Sequence, residues 1–398
     1  LRLPLLEGRR FWFAGIGGAG MSALAVVTRE WGAEVAGWDR VATPYLEPLA
    51  GIDIEISPEP PRPPADWEPI VSTAFSRWVE GRPRGELLAE LVGLRRSIVV
   101  AGAHGKTTTA AMIAFCLDRL GLDPAFLIGG QVPQLGGNAR AGEGWLVAEG
   151  DESDRSLEQL HPAIGVLTNV DLDHHTTFSS YAEVEELFTR WLGGCELAVR
   201  GDELEPVTVE LSVPGEHNRR NAATALAALD LVGVNRADAE RAIAGFRGAG
   251  RRLELRGHAG GVTVYDDYAH HPTEIAATIA ATREAHAGAR VLVVFQPHLY
   301  SRTRHLAAEL AEALGEADGA WVTGIYAARE APVDGVTSKL VVDALAQRRP
   351  GMAIGLAPEL DDAAGMVARR ARAGDVVLTI GAGDVDRAAG MILSALEG

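Results

Sequence analysis

Several short stretches of this chain combine residue types and spacings suited to handling phosphate and activated acyl groups. Gly102-Ala103-His104-Gly105-Lys106-Thr107-Thr108 follows the apolar run Ile98 to Ala101 and leads into a helical pattern. Backbone N–H groups of such a turn cradle phosphates, the Lys106 ammonium neutralises charge developing on a γ-phosphoryl group, and the Thr107 hydroxyl can ligate magnesium. Val100 stands where the longer G-x-x-x-x-G-K-[ST] pattern needs its first glycine, so the turn is the shorter G-x-x-G-K-T form. A second apolar run, Leu146 to Glu149, delivers the Glu149 carboxylate at a strand end, where a further magnesium-binding oxygen is needed. Asp151, Glu152 and Asp154 read equally as ligands or as a solvated acidic turn opening a helix. The segment Thr168 to His175 ends another strand, and His174 with its acidic neighbours can bind metal or orient phosphate. Asn218 and Asn221, three apart at the start of an Ala-rich helix, can present amides to a purine from one helix face or serve as N-caps.

Near the start, Gly15-Ile16-Gly17-Gly18-Ala19-Gly20 separates a strand pattern from the helix pattern Met21 to Trp31, and Asp39 closes the next strand nineteen residues on. These glycines let backbone approach a pyrophosphate at a helix N-terminus, and the carboxylate can take ribose or base donors. Alone, the motif would suggest NAD binding, with a ligand-free tight turn as the lesser reading. Toward the end, Arg251-Arg252, Tyr265 to Glu274 and Phe295 to Arg304 gather aromatic, basic and acidic residues where apolar runs give way to helices, a pattern hard to explain by core packing. Gly381-Ala382-Gly383-Asp384 is a third strand-to-helix glycine turn, explicable by turn chemistry alone.

The elements that must position these groups are buried parallel strands at Phe11–Gly15, Ile98–Ala101, Leu146–Glu149, Ile164–Thr168, Val291–Phe295 and Val376–Ile380, with further strand-like stretches at Ile70–Ser72 and Val262–Asp266. Alternating with helical patterns, they predict an α/β protein of doubly wound sheets, whose strand ends bind ligands. Composition breaks near Arg95 and in the Gly-rich stretch Gly245 to Gly250 divide it into blocks 1–95, 96–247 and 248–398. Each block opens on a strand pattern, as a separate nucleotide-type fold would. The first connection, Ser57 to Pro69, reads as a Pro-rich loop within the first block.

With 37 basic and 54 acidic residues the formal charge is -17, which argues against nucleic acid or an anionic membrane as the main partner. Two cysteines, Cys116 and Cys195, both in apolar or helix-like stretches, fit buried thiols in a reducing compartment. The opening LRLPLLEGRRFWFAGIGG lacks the features of a secretory leader, so a cytoplasmic location is expected. The oligomeric state is left open between a monomer and a weak dimer.

Taken together and in this order, the motifs resemble those of the Mur ligases over nearly the whole chain, from about Arg10 to Asp384. GIGGAGMS, HGKTTT, DESDRS, DDYAHHPTE and FQPHLYSRT resemble the versions in the alanine-adding member. The resemblance implies a three-domain α/β fold class, with a Rossmann-like N-terminal domain, a P-loop-type central ATPase domain and a Rossmann-like C-terminal domain. It implies peptidoglycan-precursor synthesis with ATP and Mg2+: L-alanine joined to the lactyl carboxylate of UDP-N-acetylmuramate through an acyl phosphate. It also implies that Gly15, Gly17, Gly18, Gly20, Asp39, Ser72 and Thr73 hold the UDP part, and that Gly102, His104, Gly105, Lys106, Thr107 and Thr108 hold the ATP phosphates. Asn218 and Asn221 would sit at adenine, Thr107, Glu149 and His174 would form the magnesium site, and Lys106, Glu149 and His174 would be catalytic. Arg252 and Asp267 would serve the ATP phosphates and ribose, and Tyr268, His298 and Arg302 would receive alanine. Some members carry Arg where this chain has Leu299, and the connections Ser76–Leu87 and Ala198–His217 are shorter than the family pattern. The alternatives are a recycling ligase that attaches a cell-wall tripeptide to the same sugar nucleotide, an NAD-dependent oxidoreductase, and a non-catalytic nucleotide-binding protein.

Overall fold

The computed structural model describes residues 5–172, 177–328 and 330–397. The first block holds β1 (Arg10–Ala14), α1 (Ala19–Glu30), β2 (Glu34–Asp39), β3 (Asp53–Ile56), β4 (Glu68–Val71), β5 (Arg82–Pro83) and α2 (Arg84–Leu94). Its sheet is parallel in the order β3-β2-β1-β4-β5, so the winding direction reverses between β1 and β4 and leaves a crevice beyond their carboxyl ends. β4 begins two residues before the expected Ile70. Pro69 is tolerated there because the pairing with β5 starts only at Ile70.

Helix α1 is buried from Met21 through Thr28. A helix apolar on all sides must be covered on all sides, and besides its own sheet α1 packs against the second sheet's β7 (Ala125–Val132) and β8 (Gly137–Arg140). Asn138 Nδ2 donates to the Ala19 carbonyl (2.9 Å), and Ala141 N to the Glu30 carboxylate (2.7 Å). One apolar core therefore runs from Leu6 in the first block to Leu192 in the second.

The second sheet has the order β11-β10-β6-β9-β7-β8, with β6 at Ser97–Ala101, β9 at Leu146–Glu149, β10 at Ile164–Leu167 and β11 at Leu197–Arg200. Its helices are α3 (Lys106–Arg119), α4 (Tyr181–Gly193), α5 (Glu216–Val232) and α6 (Arg236–Ile243). Every residue of β6 is buried, as expected of a central strand covered on both faces.

The third sheet contains β12 (Glu254–Ala259), β13 (Val262–Asp267), β14 (Val291–Phe295), β15 (Gly319–Val322), β16 (Ala353–Leu356) and β17 (Val376–Ile380), in the order β12-β13-β17-β14-β15-β16. It opens with the antiparallel hairpin β12–β13 and is otherwise parallel. Helices α7 (Pro272–Ala285), α8 (Tyr300–Leu314), α9 (Lys339–Arg348), α10 (Leu360–Arg370) and α11 (Asp386–Glu397) cover it. The chain divides into two compact units, one holding the first two sheets and the other the third. Among the described residues no helix is long and apolar enough to cross a membrane.

Candidate active site

At the β1–β4 switch, Gly15, Gly17, Gly18, Gly20, Asp39, Ser72 and Thr73 line one cleft of about 440 Å³, together with Thr43, Phe75 and Arg84. Gly15 adopts φ +89°, and a Cβ there would lie 2.7 Å from the Phe75 ring and 2.8 Å from Ser72 Oγ. The Asp39 carboxylate closes the glycine turn: Oδ2 accepts from Gly17 N (2.8 Å) and Oδ1 from Arg40 N (2.7 Å), while Thr43 Oγ1 donates to the Gly17 carbonyl (2.7 Å).

In the second sheet, strands β9, β6 and β10 are neighbours, so Glu149, the turn Gly102–Gly105 and the segment Thr168–Asp171 emerge side by side. Two close approaches shape the turn. Gly102 (φ +126°) leaves its missing Cβ 2.2 Å from Thr168 Oγ1, and Gly105 (φ +81°), the residue before α3, leaves its own 2.4 Å from Asn221 Oδ1. Thr168 Oγ1 and Asn169 Nδ2 both donate to the His104 carbonyl (2.6 and 2.9 Å), and His104 N donates to Asn169 Oδ1 (2.9 Å). The His104 ring lies 3.1 Å from Asp171.

Lys106 Nζ donates to the Gly102 carbonyl (2.5 Å) and to both Glu152 oxygens (3.1 Å each). Burial alone would pull its pKa down, but Glu152, Asp151 and Glu149 outweigh that and hold it above the usual lysine value. Thr107 Oγ1 donates to Glu149 Oε2 at 3.0 Å, so a hydroxyl and a carboxylate, both hard oxygen donors, meet beside the turn. Thr108 is buried in the first turn of α3. His174 lies outside the described residues. Helix α5 starts at Glu216, so neither Asn218 nor Asn221 is an N-cap; both are buried in its first turns, and Asn218 Nδ2 donates to the Pro214 carbonyl (2.7 Å).

In the third sheet, β13, β17 and β14 are adjacent, which gathers Asp267-Tyr268, Gly381-Ala382-Gly383 and Gln296-Pro297-His298 at one edge. Arg251 (φ +56°) places Nε 2.8 Å from the fully buried Asp266 and donates to the carbonyls of Gly381 (2.7 Å) and Gly383 (2.9 Å), tying two strand ends together. Asp267 accepts from Leu253 N (2.7 Å) and Ala269 N (2.8 Å), and burial pushes its pKa up to about 6 against the pull of Arg252 and those two donors. The Arg252 guanidinium lies 5.2 Å from the centroid of the Tyr268 ring. Arg302 Nη1 donates to His298 Nδ1 (3.0 Å), and His298 is flanked by the rings of His270 (5.7 Å) and Tyr326 (5.9 Å). Leu299 at φ +68° is the N-cap residue that precedes α8, between His298 and Arg302 in the chain.

Residues 100–199 match the family described as Mur ligase middle domain, and 251–383 that described as Mur ligase, glutamate ligase domain. A UDP-N-acetylmuramate--L-alanine ligase of Streptomyces coelicolor is 39% identical, covering 97% of each chain. The chain belongs to the Mur ligase family. Among solved structures, the UDP-N-acetylmuramate-alanine ligase of Thermotoga maritima superposes with a TM-score of 0.79 at 26% identity, covering 97% of this chain and 98% of the other. A murein peptide ligase of Psychrobacter arcticus shares the fold, with a TM-score of 0.66 at 23% identity and coverage of 98% and 99%. The Streptomyces alignment spans 452 residues against the 398 of this Mur ligase, in line with a shortened chain.

Several residues of this Mur ligase site escaped sequence reasoning. Glu152 is 2% exposed and holds Lys106, so a solvated acidic turn does not describe it. Thr168 and Asn169 brace the phosphate turn, and Thr43, Phe75 and Arg84 line the first cleft. A strand-end position was the signal available for Thr168 and Asn169 and the acidic run the signal for Glu152, while Thr43, Phe75 and Arg84 lack a local signature. Cys116 and Cys195 are free thiols whose pKa burial pushes up to about 12 and about 11, which suits packing rather than chemistry.

Proposed function

We propose that this Mur ligase joins L-alanine to the lactyl carboxylate of UDP-N-acetylmuramate, driven by ATP. The observation that carries the proposal is the meeting of Lys106, Thr107 and Glu149 at one sheet edge, in a chain whose full-length relatives at 36–39% identity are named UDP-N-acetylmuramate--L-alanine ligase. A carboxylate is a poor acyl donor because its leaving group would be oxide. One of its oxygens therefore attacks the γ-phosphorus, the bond to the β-phosphate oxygen breaks, and ADP departs with the electron pair. The alanine nitrogen then attacks the acyl carbon, the bond to phosphate breaks, and nitrogen loses a proton as the amide forms.

Lys106 moves from Glu152 to the γ-phosphoryl oxygens as charge builds there. Gly102, His104, Gly105 and Thr108 cradle the phosphates through the turn and the N-terminus of α3. The oxygens of Thr107 and Glu149 fit a divalent cation, and His174 is proposed as the third ligand; the bound ion supplies charge neutralisation at the transferring phosphoryl group. Asn218 and Asn221 are proposed for adenine, and Arg252 and Asp267 for ATP phosphates and ribose. Tyr268, His298 and Arg302 are proposed to receive alanine, and the glycines Gly15, Gly17, Gly18 and Gly20 with Asp39, Ser72 and Thr73 to hold UDP. The proposed division remains 1–95 for the sugar nucleotide, 96–247 for ATP and 248–398 for the amino acid. The cytoplasm, where ATP is supplied, is the location that goes with this reading.

Phosphate release from ATP in the presence of UDP-N-acetylmuramate tests the proposal. Release with L-alanine and none with a cell-wall tripeptide is expected; the reverse pattern would make this chain a recycling ligase. A reduced-nicotinamide signal in place of phosphate would discard both.

A further inference from the structure

Arg84 stands between the first cleft and the acidic turn that stores Lys106. It is the first residue of α2, and its guanidinium lies at the floor of the glycine turn: a Cβ on Gly20 would be 3.0 Å from Arg84 Nη1. Its other nitrogen, Nη2, donates to Asp151 Oδ2 at 2.6 Å, with Asp154 at 3.8 Å. The reach depends on Gly85, where a Cβ would lie 2.5 Å from Ser156 Cβ; without a side chain there, the start of α2 packs directly on the 151–156 segment. Asp151 also lies in the field of Lys106, and the two cations with a Ser153 backbone N–H outweigh burial and hold its carboxyl well below the usual range.

We propose that Arg84 is a diphosphate-binding residue of the sugar-nucleotide cleft, held in reserve by Asp151 while the cleft is empty. This inference rests on the ligase reading above. A guanidinium that faces a glycine turn built for phosphate on one side and a carboxylate on the other is contested by two anions. Its planar fork can hold a phosphate at two points, whereas it meets Asp151 at one, through Nη2 alone. An incoming diphosphate takes Arg84 from Asp151, and Asp151 then turns its charge on Lys106. In the absence of magnesium each nucleotide therefore draws a cation from the same acidic turn, and occupation of either site opposes the other.

The measurement is calorimetric titration of the full chain with UDP-N-acetylmuramate, with and without a non-hydrolysable ATP analogue, in magnesium-free buffer. Arg84→Gln is expected to weaken sugar-nucleotide binding about tenfold, the worth of one charge-assisted hydrogen bond, and Arg84→Lys to recover part of that. Asp151→Asn, which removes the competitor, is expected to tighten the same binding several-fold and to abolish the opposition between the nucleotides. Cooperative thermal unfolding near the parent's midpoint checks that each variant is folded. Unchanged binding in folded Arg84→Gln would overturn the proposal. So would weaker binding in folded Asp151→Asn, the result a purely structural brace would give. A parent chain that binds no UDP-N-acetylmuramate would instead defeat the ligase reading itself.

Discussion

Lys106 is stored on carbonyl and carboxylate oxygens, in a site where its charge is needed before any nucleotide arrives. Replacing it separates chemistry from binding. Lys106→Ala is expected to abolish ATP-dependent phosphate release while UDP-N-acetylmuramate still binds, several-fold more weakly by calorimetry, because Asp151 is left with Arg84 as its remaining cation. The same substitution removes a cation from a buried acidic turn and should lower the thermal midpoint; adding Glu152→Gln should restore part of the midpoint and none of the activity. Asp267 poses the opposite problem, a carboxylate whose folded pKa is raised from 3.8 to about 6. Between those values the folded chain binds more protons than the unfolded chain, so this group's contribution favours folding at low pH. It is lost as pH rises through 6, and it is constant above that. The shift corresponds to roughly 3 kcal/mol. Denaturant titrations of the parent and Asp267→Asn should show that difference growing against the parent between about pH 4 and pH 6, and a pH-independent gap would reject it.

At the scale of elements, each cluster sits where a parallel strand ends, because there a buried apolar run gives way to a turn and a helix N-terminus. That much was legible: apolar runs four or five residues long with polar or glycine-rich sequels marked β1, β6, β9, β10, β13, β14 and β17, within a residue or two of their ends. The bracing of the turns was not legible, because Thr168 and Asn169 reach His104 across 64 and 65 positions of sequence and Glu152 reaches Lys106 across 46. Gly105 shows why the turn and α5 must be considered together. Alanine there would be strained at φ +81° and would place Cβ 2.4 Å from Asn221 Oδ1. Gly105→Ala is therefore expected to cost at least about tenfold in ATP affinity, with sugar-nucleotide affinity preserved; equal losses at both sites would point to general unfolding instead.

For the whole molecule, core continuity rather than sheet count should govern unfolding. The first two sheets share one apolar core through α1, whereas the third has apolar clusters of its own on its two faces. Scanning calorimetry should then resolve two transitions rather than three. UDP-N-acetylmuramate and a non-hydrolysable ATP analogue should each raise the same one, by about 2.7 kcal/mol at a hundredfold excess over Kd. Separate responses to the two nucleotides would show that the shared core does not couple the first two sheets.

The amino-acid sequence by itself determined the α/β class, the strands and the phosphate-handling glycines, because strand burial and turn chemistry are written in neighbouring residues. It also carried the family, through the order of motifs along the chain. Tertiary structure alone decided which of the acidic residues 151, 152 and 154 is buried, that Asp39 closes a turn, and that Arg84 faces both a cleft and a carboxylate. Those outcomes depend on strand order and on helix packing at missing side chains such as Gly85, and charge pairing across such distances leaves no periodicity to read.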